Sequence, residues 1–381
     1  MSPIRTSIGA ARRVVVKIGS SSITGGDGQV DHVRIGRLVD AIAAVRASGR
    51  EVVVVSSGAI AVGRAPLHLR RKPRDLASRQ AAASVGQGLL LARYTSLFAA
   101  HGLTVGQVLL TIDDVRRQAS YSNALRTLTK LLEMGVVPVV NENDTVATNE
   151  LRFGDNDKLA ALVAHVVRAD ALILLSDVDA LYTDHPARPG ARRIVDVPEV
   201  DDLVVDTSRG GTDAGTGGMA TKLEAAKIAT HAGITTVLAS ADQVAEALAG
   251  EPVGTLFHAS GRRRSRKMLW LAYASREEGV LHLDAGAVRA LVERHASLLP
   301  AGVTRVEGEF HAGDPVRLDG PTGELVGHGL VNYDARDLPA MLGRSIEDDV
   351  GGRDHLAPRK QHCALDDVFQ FADIARPVVT L

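Results

Sequence analysis

A chain of 381 residues that is 45% hydrophobic can bury a full core and is long enough for two domains. Its formal net charge of −1 calls for no nucleic acid, and its single cysteine, Cys363, excludes a disulfide framework and a thiolate zinc site. No apolar run nears the roughly 20 residues of a spanning helix, and the start MSPIRTSIGAARR lacks the apolar stretch of a signal peptide, so a soluble cytoplasmic protein is expected.

In chain order, short β-branched runs alternate with longer helical patterns. VVVKIG precedes the helical DHVRIGRLVDAIAAVRASG, and EVVVVSSG precedes a helical stretch from Asp75 to Ala100. TVGQVLLT, SNALRTLTKLLEMG, VVPVVNEND, DKLAALVAHVVRAD, ALILLSDVD, GGMATKLEAAKIATHAG and ITTVLAS continue the alternation. Strands alternating with helices predict crossover units and a mostly parallel sheet. Gly49, Gly102, Gly135 and Gly233 stand where left-handed helix stops belong. Residues 1–260 read as one α/β domain.

The composition then changes. GRRRSRK opens a basic linker over 261–276; as a charge run it is read as solvated surface in preference to a nucleic-acid patch. EGVLHLDAGAVRALVERHASLLPAGVTRVEGEFHAGDPVRLDGPTGELVGHGLVNYDA reads as one helix and then short strands around Gly and Pro turns, with DGPTGEL as a hairpin signal. A small β-rich domain over 277–355 is the expectation, and 356–381 matches no motif.

In a doubly wound sheet, ligands collect beyond the carboxyl ends of the strands. The small and polar residues gather there: KIGSS, SSGAI, NENDT and SDVDA. No GxxxxGK[ST] run and no GxGxxG after a strand is present, so a nucleotide must be held another way. GTGGMATK, residues 215–222, offers glycines for close backbone approach, a helix start and Lys222 as a point charge, which makes a phosphate cradle; a flexible loop is the bland alternative. Lys17 stands inside the Val and Ile run that ends at Gly19, where a charge is costly unless paired or facing a ligand. Two such lysines suit a transferring phosphoryl group, with Asp157 to hold them, while Asp144 and Asn156 suit the ammonium and a polar end of an amino-acid substrate. In FGDNDKLAALVAH, helix capping explains one of Asp155, Asn156 and Asp157, and anion holding competes for the rest. Ser57 lacks a GxSxG elbow and a His partner, so it is read as a hydrogen-bonding cap and not a nucleophile.

VVVKIGSSSIT, VVVVSSGAIAVGR, VVPVVNENDTVAT, FGDNDKLAALVA, LLSDVDALYTDHP and GTGGMATKLEAAKIA, in this order, resemble the glutamate 5-kinases of the amino-acid kinase family, whose bacterial form continues into a C-terminal PUA domain. The resemblance implies a three-layer αβα sandwich with a mostly parallel sheet, plus a small β-rich PUA domain. It implies ATP-dependent phosphorylation of the glutamate side-chain carboxylate, the first step of proline biosynthesis. Lys17 and Lys222 would contact the ATP phosphates and Asp157 would organise them. Ser57, Asp144 and Asn156 would bind glutamate, and Ser176, Asp177, Thr216, Gly217, Gly218, Met219, Ala220, Thr221 and Lys222 would line the nucleotide. One departure is Ser176, where the family commonly has threonine; the hydroxyl is kept.

A carboxylate acceptor is already ionised at neutral pH and needs no general base. Mg²⁺ is expected to ride on the nucleotide, with no protein-held metal. Glutamyl phosphate, an acyl phosphate, hydrolyses easily, which points to hand-over to glutamyl phosphate reductase, and the resemblance adds a homo-oligomer and feedback inhibition by proline. The rivals are a kinase for aspartate or N-acetylglutamate, the latter opposed by Asp144, and an RNA-binding protein, opposed by an aromatic content of 3%.

Overall fold

The computed structural model describes residues 3–25, 29–69, 71–116, 118–146, 156–184, 186, 188, 190–203, 205, 218–259, 278–294, 298–312, 314–342 and 369–371. The chain divides into two compact units, Met1–Arg264 and Ser265–Leu381.

The first unit runs α1 (Pro3–Gly9), β1 (Arg13–Ile18), α2 (Ser20–Ile23), α3 (His32–Ala47), β2 (Glu51–Ser56), α4 (Ala59–Arg64) and α5 (Leu76–Ala99). It continues through β3 (Val105–Leu110), α6 (Ile112–Arg116), α7 (Gln118–Glu133), β4 (Val137–Glu142), α8 (Asn156–Val166) and β5 (Ala171–Ser176). Short strands β6 (Leu181–Tyr182), β7 (Arg193–Ile194) and β8 (Asp196–Val197) come next, then α9 (Met219–His231), β9 (Thr235–Ser240), α10 (Val244–Ala249) and β10 (Thr255–Phe257).

Eight strands form one sheet in the order β3-β4-β2-β1-β5-β9-β10-β8. The run from β3 to β9 is parallel throughout, β10 is antiparallel to β9, and β8 is parallel to β10. β1 sits between β2 and β5, so its Val14, Val15, Val16 and Ile18 are covered on both faces; a continuous apolar run, not an alternating one, is what a central parallel strand requires. Helix starts and stops follow local chemistry. Asp31 accepts from the backbone N–H of Val33 and Arg34, and Asp75 accepts from that of Ser78. Gly49, Gly102, Gly135 and Gly233 take φ of 82°, 69°, 76° and 74°, the left-handed stops expected of them.

Two glycines set how α4 meets α5. A Cβ on Gly63 would lie 1.8 Å from the Ala82 carbonyl oxygen, and one on Gly86 would lie 1.8 Å from that of Ala59, so only glycine lets the two backbones touch here. Among the described residues no helix is long and apolar enough to cross a membrane.

The second unit contains β11 (Gly279–Leu283), α11 (Ala285–Arg294), β12 (Val303–Gly308), β13 (Pro315–Asp319), β14 (Leu325–Val331) and β15 (Phe369–Phe371), with sheet order β12-β11-β13-β14-β15. The expectation of a helix first is corrected here, because a strand precedes it. EGVLHL alternates with period two, burying Leu281 and Leu283, and β11 pairs antiparallel with β12 and parallel with β13. The DGPTGEL hairpin is realised as the β13–β14 turn, with Gly323 at φ 82°. Leu281, Leu291, Phe310, Val316 and Leu318 anchor the core. The basic segment 261–276 lies outside the described residues; of 356–381, Phe369–Phe371 add a strand to β14.

Candidate active site

Because β1, β2, β4 and β5 are parallel, their carboxyl ends share one edge. Lys17 is the penultimate residue of β1, paired with Val55 of β2 and Leu174 of β5, and only 4% exposed. Its Nζ lies 2.5 Å from Asp157 Oδ1. Asp157, in the first turn of α8 and 1% exposed, uses its other oxygen to accept from Lys222 Nζ at 3.1 Å and from Thr221 Oγ1 at 2.8 Å. One carboxylate therefore joins β1 to the first turn of α9 across about two hundred positions of sequence.

Burial alone would raise the Asp157 carboxyl. Lys17 and Lys222, with hydrogen bonds from Lys17 and Thr221, outweigh it and hold the group well below the usual carboxylate range. Two ammonium groups thus share one carboxylate in a dry setting, where charges are least screened. A Cβ at Gly19 would lie 3.7 Å from Lys17 Nζ, an ordinary van der Waals contact, so Gly19 stands directly beside that ammonium. Gly218 is the N-cap of α9 without a side-chain cap, and no acidic residue occupies the first turn. Such a helix start is suited to an anion.

A second, uncharged cluster lies beside the first. Asn141, 1% exposed near the end of β4, accepts through Oδ1 from the Glu142 backbone N–H at 2.9 Å and from Asn156 Nδ2 at 3.2 Å. Its own Nδ2 donates to Gln87 Oε1 on α5 at 2.7 Å. Asn156 Oδ1 is buried without a hydrogen-bond partner among the described residues. Asp144, just past β4, has its carboxyl pushed up to about 6 by burial, against the pull of the Arg79 guanidinium. At the ends of β2 and β5, the Ser57 N–H donates to the Ile18 carbonyl at 3.1 Å and Ser176 Oγ donates to Asp177 Oδ1 at 3.0 Å.

The structure thus joins Lys17, Asp157, Thr221 and Lys222 directly and sets Asn156 beside them, while Ser57, Asp144, Ser176 and Asp177 share the same sheet edge. Gly218, Met219 and Ala220 open α9; Thr216 and Gly217 lie outside the described residues. Asn156 and Asp157 turn their side chains to Asn141 and to the lysines, while Asp155, the remaining candidate to cap α8, lies outside the described residues; the N-cap of α4 is Gly58, which corrects the cap expected of Ser57. Sequence reasoning misses Asn141 and Gln87. Asn141 carries the signal that singles out Lys17, a polar residue inside a buried strand, but Gln87 sits in a helix pattern that gives it no distinction. Among the described residues no group of three or more His, Cys, Asp or Glu gathers as a metal site.

Residues 12–240 match the amino acid kinase family, and residues 279–349 match the PUA domain. The chain belongs to the amino acid kinase family, and its second unit carries a PUA domain. It is 59% identical to the glutamate 5-kinase of Streptomyces coelicolor over 350 residues, which cover 91% of this chain and 94% of that one. It is 60% identical to the glutamate 5-kinase of Salinispora arenicola over 347 residues, 91% of this chain and 94% of that one. The glutamate 5-kinase of Thermobifida fusca is 59% identical over 344 residues, 90% of this chain and 89% of its own length. Within the amino acid kinases the chain thus falls among the glutamate 5-kinases.

Proposed function

We propose that the chain transfers the γ-phosphoryl group of ATP to the side-chain carboxylate of L-glutamate, giving L-glutamyl 5-phosphate and ADP, the first step of proline biosynthesis. The observation that carries this reading is the pair of lysines, from β1 and α9, held on one buried carboxylate at the carboxyl edge of the sheet. An acceptor carboxylate with a pKa of about 4.3 is ionised at neutral pH, so no residue has to remove a proton. Its oxygen bonds to the γ-phosphorus as the bond to the β-phosphate oxygen breaks, and the residues supply position and neutralising charge.

Lys17 and Lys222 meet the phosphate oxygens, and Asp157 keeps the two ammonium groups oriented without cancelling both. The uncapped start of α9, from Gly218 through Met219, Ala220 and Thr221, suits the phosphate chain, and Ser176, Asp177, Thr216 and Gly217 complete the nucleotide side. Bound with the nucleotide, Mg²⁺ would supply further neutralisation of its phosphates. Ser57, Asp144 and Asn156 hold glutamate, Asp144 at the ammonium. Residues 1–260 form the kinase domain and 277–355 the PUA domain. The remaining proposals are a cytoplasmic homo-oligomer, proline competing at the glutamate site, and hand-over of the labile acyl phosphate to glutamyl phosphate reductase.

Trapping with hydroxylamine tests the reading. Purified protein with ATP, Mg²⁺ and glutamate should yield the hydroxamate, N-acetylglutamate should yield none because its nitrogen cannot pair with Asp144, and aspartate should be poor. One methylene is worth about 1–3 kcal/mol, so slow aspartate turnover agrees with the reading. Turnover of aspartate or N-acetylglutamate with none of glutamate would reject it.

A further inference from the structure

One backbone N–H fixes the direction of three side-chain amides next to the lysine cluster. The Glu142 N–H can only donate, so the atom it meets at 2.9 Å must be the oxygen of Asn141. The other arm of Asn141 is then its Nδ2, which can only donate, and Gln87 must turn its oxygen toward it across 2.7 Å. The Asn156 atom that faces Asn141 Oδ1 at 3.2 Å must in turn be a donor, Nδ2, which leaves Asn156 Oδ1 on the far side. That oxygen belongs to a residue 5% exposed and has no hydrogen-bond partner among the described residues. A buried acceptor left unpaired is costly, so the arrangement calls for a ligand that brings a donor.

We infer that Gln87 is a positioning residue for substrate selection: through Asn141 it holds the Asn156 amide with its oxygen toward the substrate, so that the site reads an ammonium and rejects acceptors lacking one. This rests on the reading of the site as a glutamate site and states which end of the amino acid Asn156 meets. Asn156 Oδ1 and the Asp144 carboxylate are both acceptors, and a substrate carboxylate at Asn156 would meet like partial charge. Gln87 is well placed to act as the anchor. It sits next to Gly86, whose missing Cβ lets α5 press on α4 at Ala59, so the helix register that aims Gln87 at β4 is set by packing.

The test compares glutamate with glutarate, the same dicarboxylate without the ammonium, by hydroxamate formation in the full-length protein. Gln87→Met keeps length and removes the acceptor. It should raise the glutamate KM about tenfold, the worth of one such hydrogen bond, while kcat and the KM for ATP stay within about twofold. The preference for glutamate over glutarate in kcat/KM should fall by the same factor of about ten. Gln87→Glu keeps an acceptor and should restore both values to within about threefold of wild type. Gln87→Lys, which keeps the aliphatic stem and offers only donors, should behave as Gln87→Met does and substitutes for it if that variant does not fold. Equal losses with glutamate and glutarate, a loss in kcat or ATP affinity to match, or a Gln87→Glu variant as impaired as Gln87→Met would overturn the inference. A wild-type protein that gives no hydroxamate from glutamate would reject the glutamate-site reading itself, before any variant is compared.

Discussion

Cations around the large sheet meet two kinds of partner, peptide carbonyl oxygens in one set and a single shared carboxylate in the other. Arg5 donates to the carbonyl oxygens of Val195, Glu251, Val253 and Gly254, beside β8 and β10 at one edge of the sheet, and Arg50, just ahead of β2, donates to those of Ile8, Ala11 and Leu248. Arg13 bonds the Val167 carbonyl and pairs with Glu51 at 2.6 Å. Each guanidinium spreads its planar set of donors over peptide dipoles that the fold has brought together, so the charge is solvated by the protein itself. At the carboxyl end, Lys17 and Lys222 share Asp157. Two point charges on flexible stems share one carboxylate, an arrangement suited to a phosphate. Carbonyl partners tie a cation into the fold, whereas under the proposed function the shared carboxylate holds two cations ready for phosphate.

The comparison breaks hardest at Asp157. Asp157→Asn leaves two buried ammonium groups without their counter-ion, and removing one partner of a buried pair costs about 3–5 kcal/mol, so thermal unfolding should shift down strongly and activity should be lost with it. Under the proposed function, Lys17→Ala and Lys222→Ala would remove charge that acts on the transferring group. Each should lower kcat by a factor on the order of 10²–10³, with smaller effects on the glutamate KM. Steady-state kinetics checks both, and wild-type turnover by either variant would remove that lysine from the phosphate side.

Asp144 sharpens the contrast within the carboxyl rim, since it is the carboxylate that burial raises while Asp157 is the one that lysines depress. With a pKa of about 6, Asp144 is mainly ionised at pH 7 and takes up a proton as the pH falls. A protonated Asp144 cannot pair an ammonium, so kcat/KM for glutamate should drop about tenfold per pH unit below about 6. Asp157 stays ionised through the same window and contributes nothing to this limb. Asp144→Asn should raise the glutamate KM about 10- to 100-fold, as loss of a charge-assisted bond does, and flatten the acid limb. A limb that survives in Asp144→Asn belongs to another group.

Much of this is legible in the sequence, and the reason differs by residue. Lys17 stands out because a lysine inside a Val and Ile run needs a partner, and the chain order of the motifs puts Lys222 and Asp157 on the same edge. The parallel order and the four glycine stops follow from period and backbone sterics, which are local. Gln87 is not legible: its meaning comes from contact with Asn141, 54 positions away, and nothing in its own helix distinguishes it. Which of Asp155, Asn156 and Asp157 has a use beyond capping is hidden for a related reason. An Asx residue at a helix start has a local use and a long-range use, and only the fold decides which one wins. In the second unit, the short alternation of EGVLHL stands ahead of a clear helical period and is absorbed by it in a sequence reading, whereas pairing with both β12 and β13 makes it a central strand. Arg5, Arg13 and Arg50 are equally silent, since carbonyl partners leave no trace in a sequence.

Arg5 tests the quieter side of the comparison. Its guanidinium belongs to a residue 4% exposed and ties α1 to Val195 and to the stretch Glu251–Gly254 ahead of β10, with the Val253 bond at 2.6 Å. Arg5→Met keeps the apolar stem and removes every donor, so the carbonyl groups it served lose a charged partner. The expected loss is about 1–3 kcal/mol of stability, and at roughly 2–4 °C per kcal/mol for a domain of this size the fall in Tm is several degrees. Arg5→Lys should fall between the two, because an ammonium keeps the charge but cannot span carbonyls on both sides of the fork. The decisive quantity is the absence of a kinetic effect: at a temperature where both proteins are folded, kcat and both KM values should match wild type within about twofold. A lowered kcat with Tm unchanged would mean that a carbonyl-bound arginine takes part in chemistry, and the division between cations that hold the fold and cations that handle phosphate would have to be given up.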